Sequence, residues 1–261
     1  MTEVHQVLVG AGQTDAITNM ARSLQSSLRS LGPSEIFAQH PAPEVTDVQH
    51  LSSFPKNPSR GRIVIFHASG GDPEVFKFLQ NSSDPLVLIF HNIAPPELFE
   101  NFAPDRAALL RQGWEELSFL REKIVLSIAD SKYNAQCLEK IGYQNIVVLQ
   151  AGVQPNRLHK YESDIEMTRL LERETVDPLL LYVGQAAPHK RPEVLVQMQY
   201  LLTHHIGRTT SLALVGPPTL PQINAAALEQ ARRLRVPGCL FLGQLTENQL
   251  ATLYRKASIF I

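Results

Sequence analysis

Short runs of Val, Ile and Leu, each four to six residues long, recur along this chain and are separated by longer stretches with helical spacing. A strand that is apolar at nearly every position has both faces covered, and that arrangement belongs to parallel sheets flanked by helices. The runs at 4–9, 35–38, 62–66, 86–90, 124–128 and 145–149 form one series, and those at 179–183, 211–215, 239–242 and 258–261 form a second. Helical patterns near 193–205, 221–235 and 246–257 separate the second series, and the last opens with Thr246 and Gln249 at capping-box spacing. The reading is an α/β protein. Residues 1–160 form a first Rossmann-like domain, and 175–261 form part of a second.

Between the two series, 154–177 is polar and poorly periodic apart from one helical stretch at 164–173, and reads as a linker. Two such domains would face each other across a cleft, because parallel sheets bind ligands at the carboxyl ends of their strands. The apolar run at 258–261 reads as a buried strand, and the chain ends with it, so the second domain reads as truncated at its C-terminal side.

A formal charge of -1 provides no general attraction for nucleic acid, so an anionic ligand needs locally placed donors. The two cysteines, Cys137 and Cys239, lack metal-ligand spacing and read as reduced core or near-core thiols. No basic leader precedes an apolar run, and no stretch approaches the roughly 20 apolar residues of a membrane span, so a cytoplasmic protein is expected.

Candidate chemistry lies where strands end. Gly10-Ala11-Gly12 closes the first strand and opens a helix whose apolar positions are Ile17, Met20, Ala21, Leu24, Leu28 and Leu31. The loop is either a tight structural turn or a surface that faces substrate. The third glycine of a dinucleotide fingerprint is missing. His91 and Asn92 follow a buried strand directly, and His67 follows the one before. Such a histidine is structural or functional on chemistry alone. Asp130 and Ser131 together suit the cap of the next helix, and Glu115-Glu116 suits a solvated helix face. In the second half, Gly184 ends a strand and Lys190 sits before a helix. A glycine turn, a helix start and a compact cation are what a diphosphate needs. His204-His205 lacks the spacing for a metal site, so no metal is expected.

Taken in order, the segments 12–19, 91–96, 129–134, 152–157 and 182–191 resemble retaining glycosyltransferases of family 4, which have the GT-B fold and include bacterial members that build surface polysaccharides. The resemblance implies transfer of a hexosyl group from a nucleotide-sugar to an acceptor hydroxyl with retention. It implies no metal or other cofactor. The acceptor would be a sugar or lipid-linked, and peripheral contact with the inner face of a membrane is compatible with it. Gly12 would lie near the donor phosphate and acceptor, His91 at the sugar, and Gly184 and Lys190 at the diphosphate. Two departures stand out: Gln185 occupies a position where many members carry Arg, and the Glu-bearing segment that follows the last strand is absent. They keep open a non-catalytic nucleotide-sugar binder or partner subunit. An epimerase of the same two-domain shape fits the landmarks less well.

Overall fold

The computed structural model describes residues 2–57, 59–150, 152 and 157–261, which divide into two compact units. The first comprises Met1–Glu100 and Pro104–Gly152, and the second Asn101–Ala103 and Val153–Ile261. Each is built on a fully parallel sheet, as the uninterrupted apolar runs require.

In the first unit the strands are β1 (Glu3–Ala11), β2 (Ile36–Pro41), β3 (Gln49–His50), β4 (Arg62–Ala68), β5 (Leu86–Phe90), β6 (Ile124–Ala129) and β7 (Ile146–Val148). They lie in the order β3-β2-β1-β4-β5-β6-β7. The helices are α1 (Ala16–Leu28), α2 (Pro73–Asn81), α3 (Pro104–Leu120) and α4 (Lys132–Lys140). One face of the sheet packs Val4, Ile65 and Ile89 against Leu24 and Leu28 of α1. Leu31 lies beyond the end of α1 and is exposed, so the apolar stripe is one turn shorter than its spacing suggested. The β3 strand has no counterpart in the apolar pattern, because its two residues are polar and exposed.

The second unit has β8 (Leu179–Val183), β9 (Ser211–Val215), β10 (Cys239–Gly243) and β11 (Ile259–Phe260) in the order β10-β9-β8-β11. Its helices are α5 (Ile165–Glu174), α6 (Pro192–His204), α7 (Pro221–Leu234) and α8 (Glu247–Lys256). The stretch read as a linker contains α5, whose Met167 and Leu171 are buried with Leu179, Leu181, Ala213, Val215 and Leu253. Its polar composition reflects one exposed face, not a lack of packing. Thr246 and Gln249 form the expected capping box, each side chain accepting from the other residue's backbone N–H.

The run at 258–261 does form a strand, parallel to β8, but Ile259 and Phe260 are 50% and 58% exposed. The expectation of a buried strand is therefore corrected. Among the described residues β11 stands at the end of the strand order, and apolar composition alone does not distinguish an edge from a centre.

Candidate functional site

In the first unit, side chains of period two bring four polar groups onto one sheet face. Gln6 and Leu8 point the same way on β1. Leu8 is in register with His67, His67 with Ile89, and Ile89 with Ile128. Two residues beyond Ile89 and Ile128 stand His91 and Asp130. Behind this row the same face carries Ile65, Ile89 and Ile128, so an apolar ladder becomes polar at its carboxyl end.

These groups form a continuous chain. Gln6 Nε2 donates to the Ala21 carbonyl at 2.9 Å, and Gln6 Oε1 lies 2.9 Å from His67 Nε2. His67 Nδ1 is 2.9 Å from His91 Nε2, and His91 Nδ1 is 2.8 Å from Asp130 Oδ2. The imidazole planes differ by 8° with centroids 5.2 Å apart, which is the geometry of an in-plane, edge-to-edge hydrogen bond. Burial and, secondarily, the charge of His91 push the His67 pKa down to about 3, so its ring is neutral. The His91 side chain is 3% exposed and Asp130 is 22% exposed. Both ring nitrogens of His91 are thus engaged within the protein.

Asp130 and Ser131 divide the task assigned to them jointly. Ser131 caps α4 by accepting from the Asn134 N–H, while Asp130 is turned to His91. Immediately after His91, Asn92 has φ = 73°, a left-handed conformation that non-glycine residues rarely adopt. A cavity of about 330 Å³ opens there, lined by Asn92, Pro96, Arg111, Trp114 and Tyr133 among others.

A second polar group lies on the same carboxyl edge. Asp72 caps α2 through the N–H groups of Glu74 and Val75, and its other oxygen meets His40 Nε2 at 2.8 Å. The backbone N–H of Asp72 donates to Glu116, whose pKa is raised chiefly by burial. Glu116 therefore anchors a loop and is not the solvated residue expected, whereas its neighbour Glu115 is exposed. The approach of α3 is made possible by Gly71 and Gly113, which meet backbone to backbone: a Cβ on Gly113 would lie 2.6 Å from the Gly71 nitrogen. The Gly70-Gly71 pair and a lone glycine inside a helical pattern were the available signals for this contact.

Gly12 donates its N–H to the Thr18 hydroxyl at 3.1 Å, and Asp15 caps α1 by accepting from Thr18 N. The start of α1 thus carries its own carboxylate. In the second unit, Gly184 N donates to Val215 O and Gly216 N to Gly243 O, each at 2.8 Å. The Gly184 N–H is spent within the unit, and what this glycine supplies is room for the Tyr182 side chain, whose hydroxyl would lie 2.4 Å from a Cβ at this position. The Gly184 carbonyl lies 2.0 Å from where a Cβ of Gly216 would be, and Gly216 has φ = 139°. Tyr182 places a buried hydroxyl without a hydrogen-bond partner beside Gly184, and burial raises its pKa. Lys190 is exposed and closes the turn Pro188–Lys190, directly before Arg191, which starts α6 in a left-handed conformation with no side-chain cap. Gln185 on this loop is exposed.

Burial pushes the Cys239 thiol up to about 12, and both cysteines are free. Among the described residues no group of three His, Cys, Asp or Glu side chains could hold a metal, and no helix is long and apolar enough to cross a membrane. Of the segments that carry the resemblance, 152–157 lies mostly outside the described residues.

No protein-family model matches the chain, and no curated protein matches it by sequence. Solved structures do. A glycosyltransferase from Rickettsia africae is 16% identical with a TM-score of 0.66, the match covering 99% of this chain and 72% of that one. Sucrose-phosphate synthase from Thermosynechococcus elongatus is 14% identical with a TM-score of 0.68, covering 99% and 74%. Anabaena HepE in complex with UDP-glucose is 13% identical with a TM-score of 0.71, covering 98% and 72%. At these identities the likeness is one of fold: this chain has the parallel α/β architecture of GT-B glycosyltransferases.

Proposed function

We propose that the protein transfers a hexosyl group from a nucleotide-sugar to an acceptor hydroxyl with retention, as family 4 glycosyltransferases do, in polysaccharide or glycolipid synthesis. The observation that carries this reading is the β8–α6 loop. It presents the exposed ammonium of Lys190 beside the uncapped start of α6, at the carboxyl end of a parallel sheet. A departing nucleoside diphosphate gains negative charge, and a cation placed beside it stabilises that charge more than the ground state. Gly184 is assigned to the diphosphate side, where the space beside its Cα holds the Tyr182 hydroxyl, and the Gly12 turn is assigned to the donor phosphate. His91 acts at the sugar. Because both its ring nitrogens are engaged and its side chain is 3% exposed, it does so through Asp130, which it holds and which is 22% exposed. The cavity beside Asn92 combines Trp114 and Tyr133 with polar neighbours, a composition suited to a sugar acceptor.

The test is calorimetric titration with UDP and UDP-glucose, run beside an assay for UDP release. A charge-assisted contact is worth roughly 1.5–3 kcal/mol, so Lys190→Ala weakens UDP binding by about 10- to 150-fold. Unchanged affinity in the variant, or no binding by the wild type, refutes the assignment. A second reading, binding without transfer, draws on the neutral Gln185 in this loop. It is recognised by tight UDP-glucose binding with no UDP release from any acceptor or from water.

A further inference from the structure

We infer that Gln6 and His67 are positioning residues that set the protons of the His91–Asp130 pair, so that His91 carries a hydrogen on both ring nitrogens and the pair is electrically neutral. The argument is one of hydrogen-bond direction. The Ala21 carbonyl only accepts, so the Gln6 amide must turn its NH₂ toward it and its oxygen toward His67. That oxygen only accepts, so His67 carries its hydrogen on Nε2. A ring at 1% exposure with no carboxylate against it stays neutral, which leaves Nδ1 bare. A bare Nδ1 facing His91 Nε2 at 2.9 Å requires a hydrogen on His91 Nε2.

On the far side, His91 Nδ1 and Asp130 Oδ2 at 2.8 Å require one further hydrogen between them. Imidazole is the stronger base of the two, so the ring holds it. Moving that hydrogen to Asp130 keeps every bond but places the proton on the weaker base; the other distributions set two lone pairs against each other in the interior, or turn the Gln6 oxygen onto the Ala21 carbonyl, and a buried unsatisfied polar group costs about 1–3 kcal/mol. The remaining titratable pair at this edge, His40 and Asp72, is bonded to itself. Around His91, β4 contributes His67, β6 leads to Asp130, and the start of α4 contributes the neutral Asn134, which donates to Phe90 O.

The consequence rests on the proposed nucleotide-sugar reading. A neutral imidazole beside an ionised Asp130 would give this edge a net negative charge. The neutral pair removes that repulsion toward an anionic ligand while keeping Asp130 fixed.

The experiment is nitrogen-15 imidazole spectroscopy of the full chain at neutral pH without any nucleotide, with His91 assigned by the signals lost in His91→Gln. The expected spectrum has two N–H correlations for His91 and one, at Nε2, for His67. In His67→Phe, which keeps a ring of similar volume but removes the acceptor, the His91 Nε2 hydrogen is lost. Gln6→Met provides a second route to the same change if the first variant does not fold. A single N–H on wild-type His91, or two that persist in both folded variants, overturns the inference. Because no sugar nucleotide is present, these outcomes are independent of whether UDP-glucose binds or reacts.

Discussion

Replacing Gly113 by Ala tests the backbone contact that holds the carboxyl-edge loop, because two effects of opposite sign compete there. Gly113 lies inside α3, where Ala is favoured over Gly by about 1 kcal/mol on propensity alone. The added Cβ, however, would sit 2.6 Å from the Gly71 nitrogen, 2.8 Å from the Gly70 carbonyl carbon and 3.1 Å from Ile93 Cδ1. The first two are main-chain atoms and cannot rotate away, so α3 or the loop must move by nearly an ångström. Overpacking of this kind costs about 1–3 kcal/mol, and two backbone collisions place it at the upper end. The net expectation is a loss of about 2 kcal/mol, or roughly 4–8 °C in Tm for a unit of this size. Trp114 is the only tryptophan and packs edge-on against Phe90 at 5.6 Å, so its fluorescence reports unfolding of the first unit specifically. Thermal unfolding followed at the tryptophan should show the drop. A rise of a few degrees would mean that propensity wins and that the close approach of α3 to the loop is wrong.

Gly216→Ala should unfold the second unit selectively, since its φ of 139° and a Cβ 2.0 Å from the Gly184 carbonyl leave no relaxed alternative. Circular dichroism should lose signal while the Trp114 transition stays in place, and an unaltered far-ultraviolet spectrum and Tm would refute it. His67 supplies a pH dependence. Its folded pKa of about 3 lies below the unfolded value of 6.5, so the unfolded chain binds the extra proton first. Its contribution to stability is complete above pH 6.5 and is lost as pH falls toward 3. Urea midpoints measured across that window should fall less steeply in His67→Phe than in the wild type, and parallel curves would exclude this histidine. Thr246→Ala removes one arm of the capping box on α8 and should lower the stability of the second unit by about 1 kcal/mol. An unchanged urea midpoint would show the cap to be replaced by solvent.

The sequence carries the sheet architecture because burial on both faces of a parallel strand leaves a run of Val, Ile and Leu that survives single substitutions. It carries less of the site, and the reason is visible at Gln6. A polar residue inside Val4-His5-Gln6-Val7-Leu8 conflicts with the pattern, and the structure resolves the conflict with a full set of partners: Ala21 O on one side and His67 on the other. The same holds at Ile65/His67, Ile89/His91 and Ile128/Asp130, where one face changes from apolar to polar two residues further along each strand. Reading each strand alone gives three separate polar residues at strand ends, and only the register between strands shows that they form one row.

Glu116 and Gly113 were obscured for a related reason. Their partners, Asp72 and Gly71, lie about forty residues away in a loop whose path local spacing does not encode. Exposure of β11 was likewise out of reach, since an edge strand and a central one can share a composition while differing in what covers them. The His91–Asp130 pair follows from the same principle at atomic scale. Neither residue's chemistry is set by its own neighbours in sequence. Each is fixed by a hydrogen-bond direction that begins at a helix carbonyl and crosses β1, β4 and β5 before reaching the edge where a ligand would meet it.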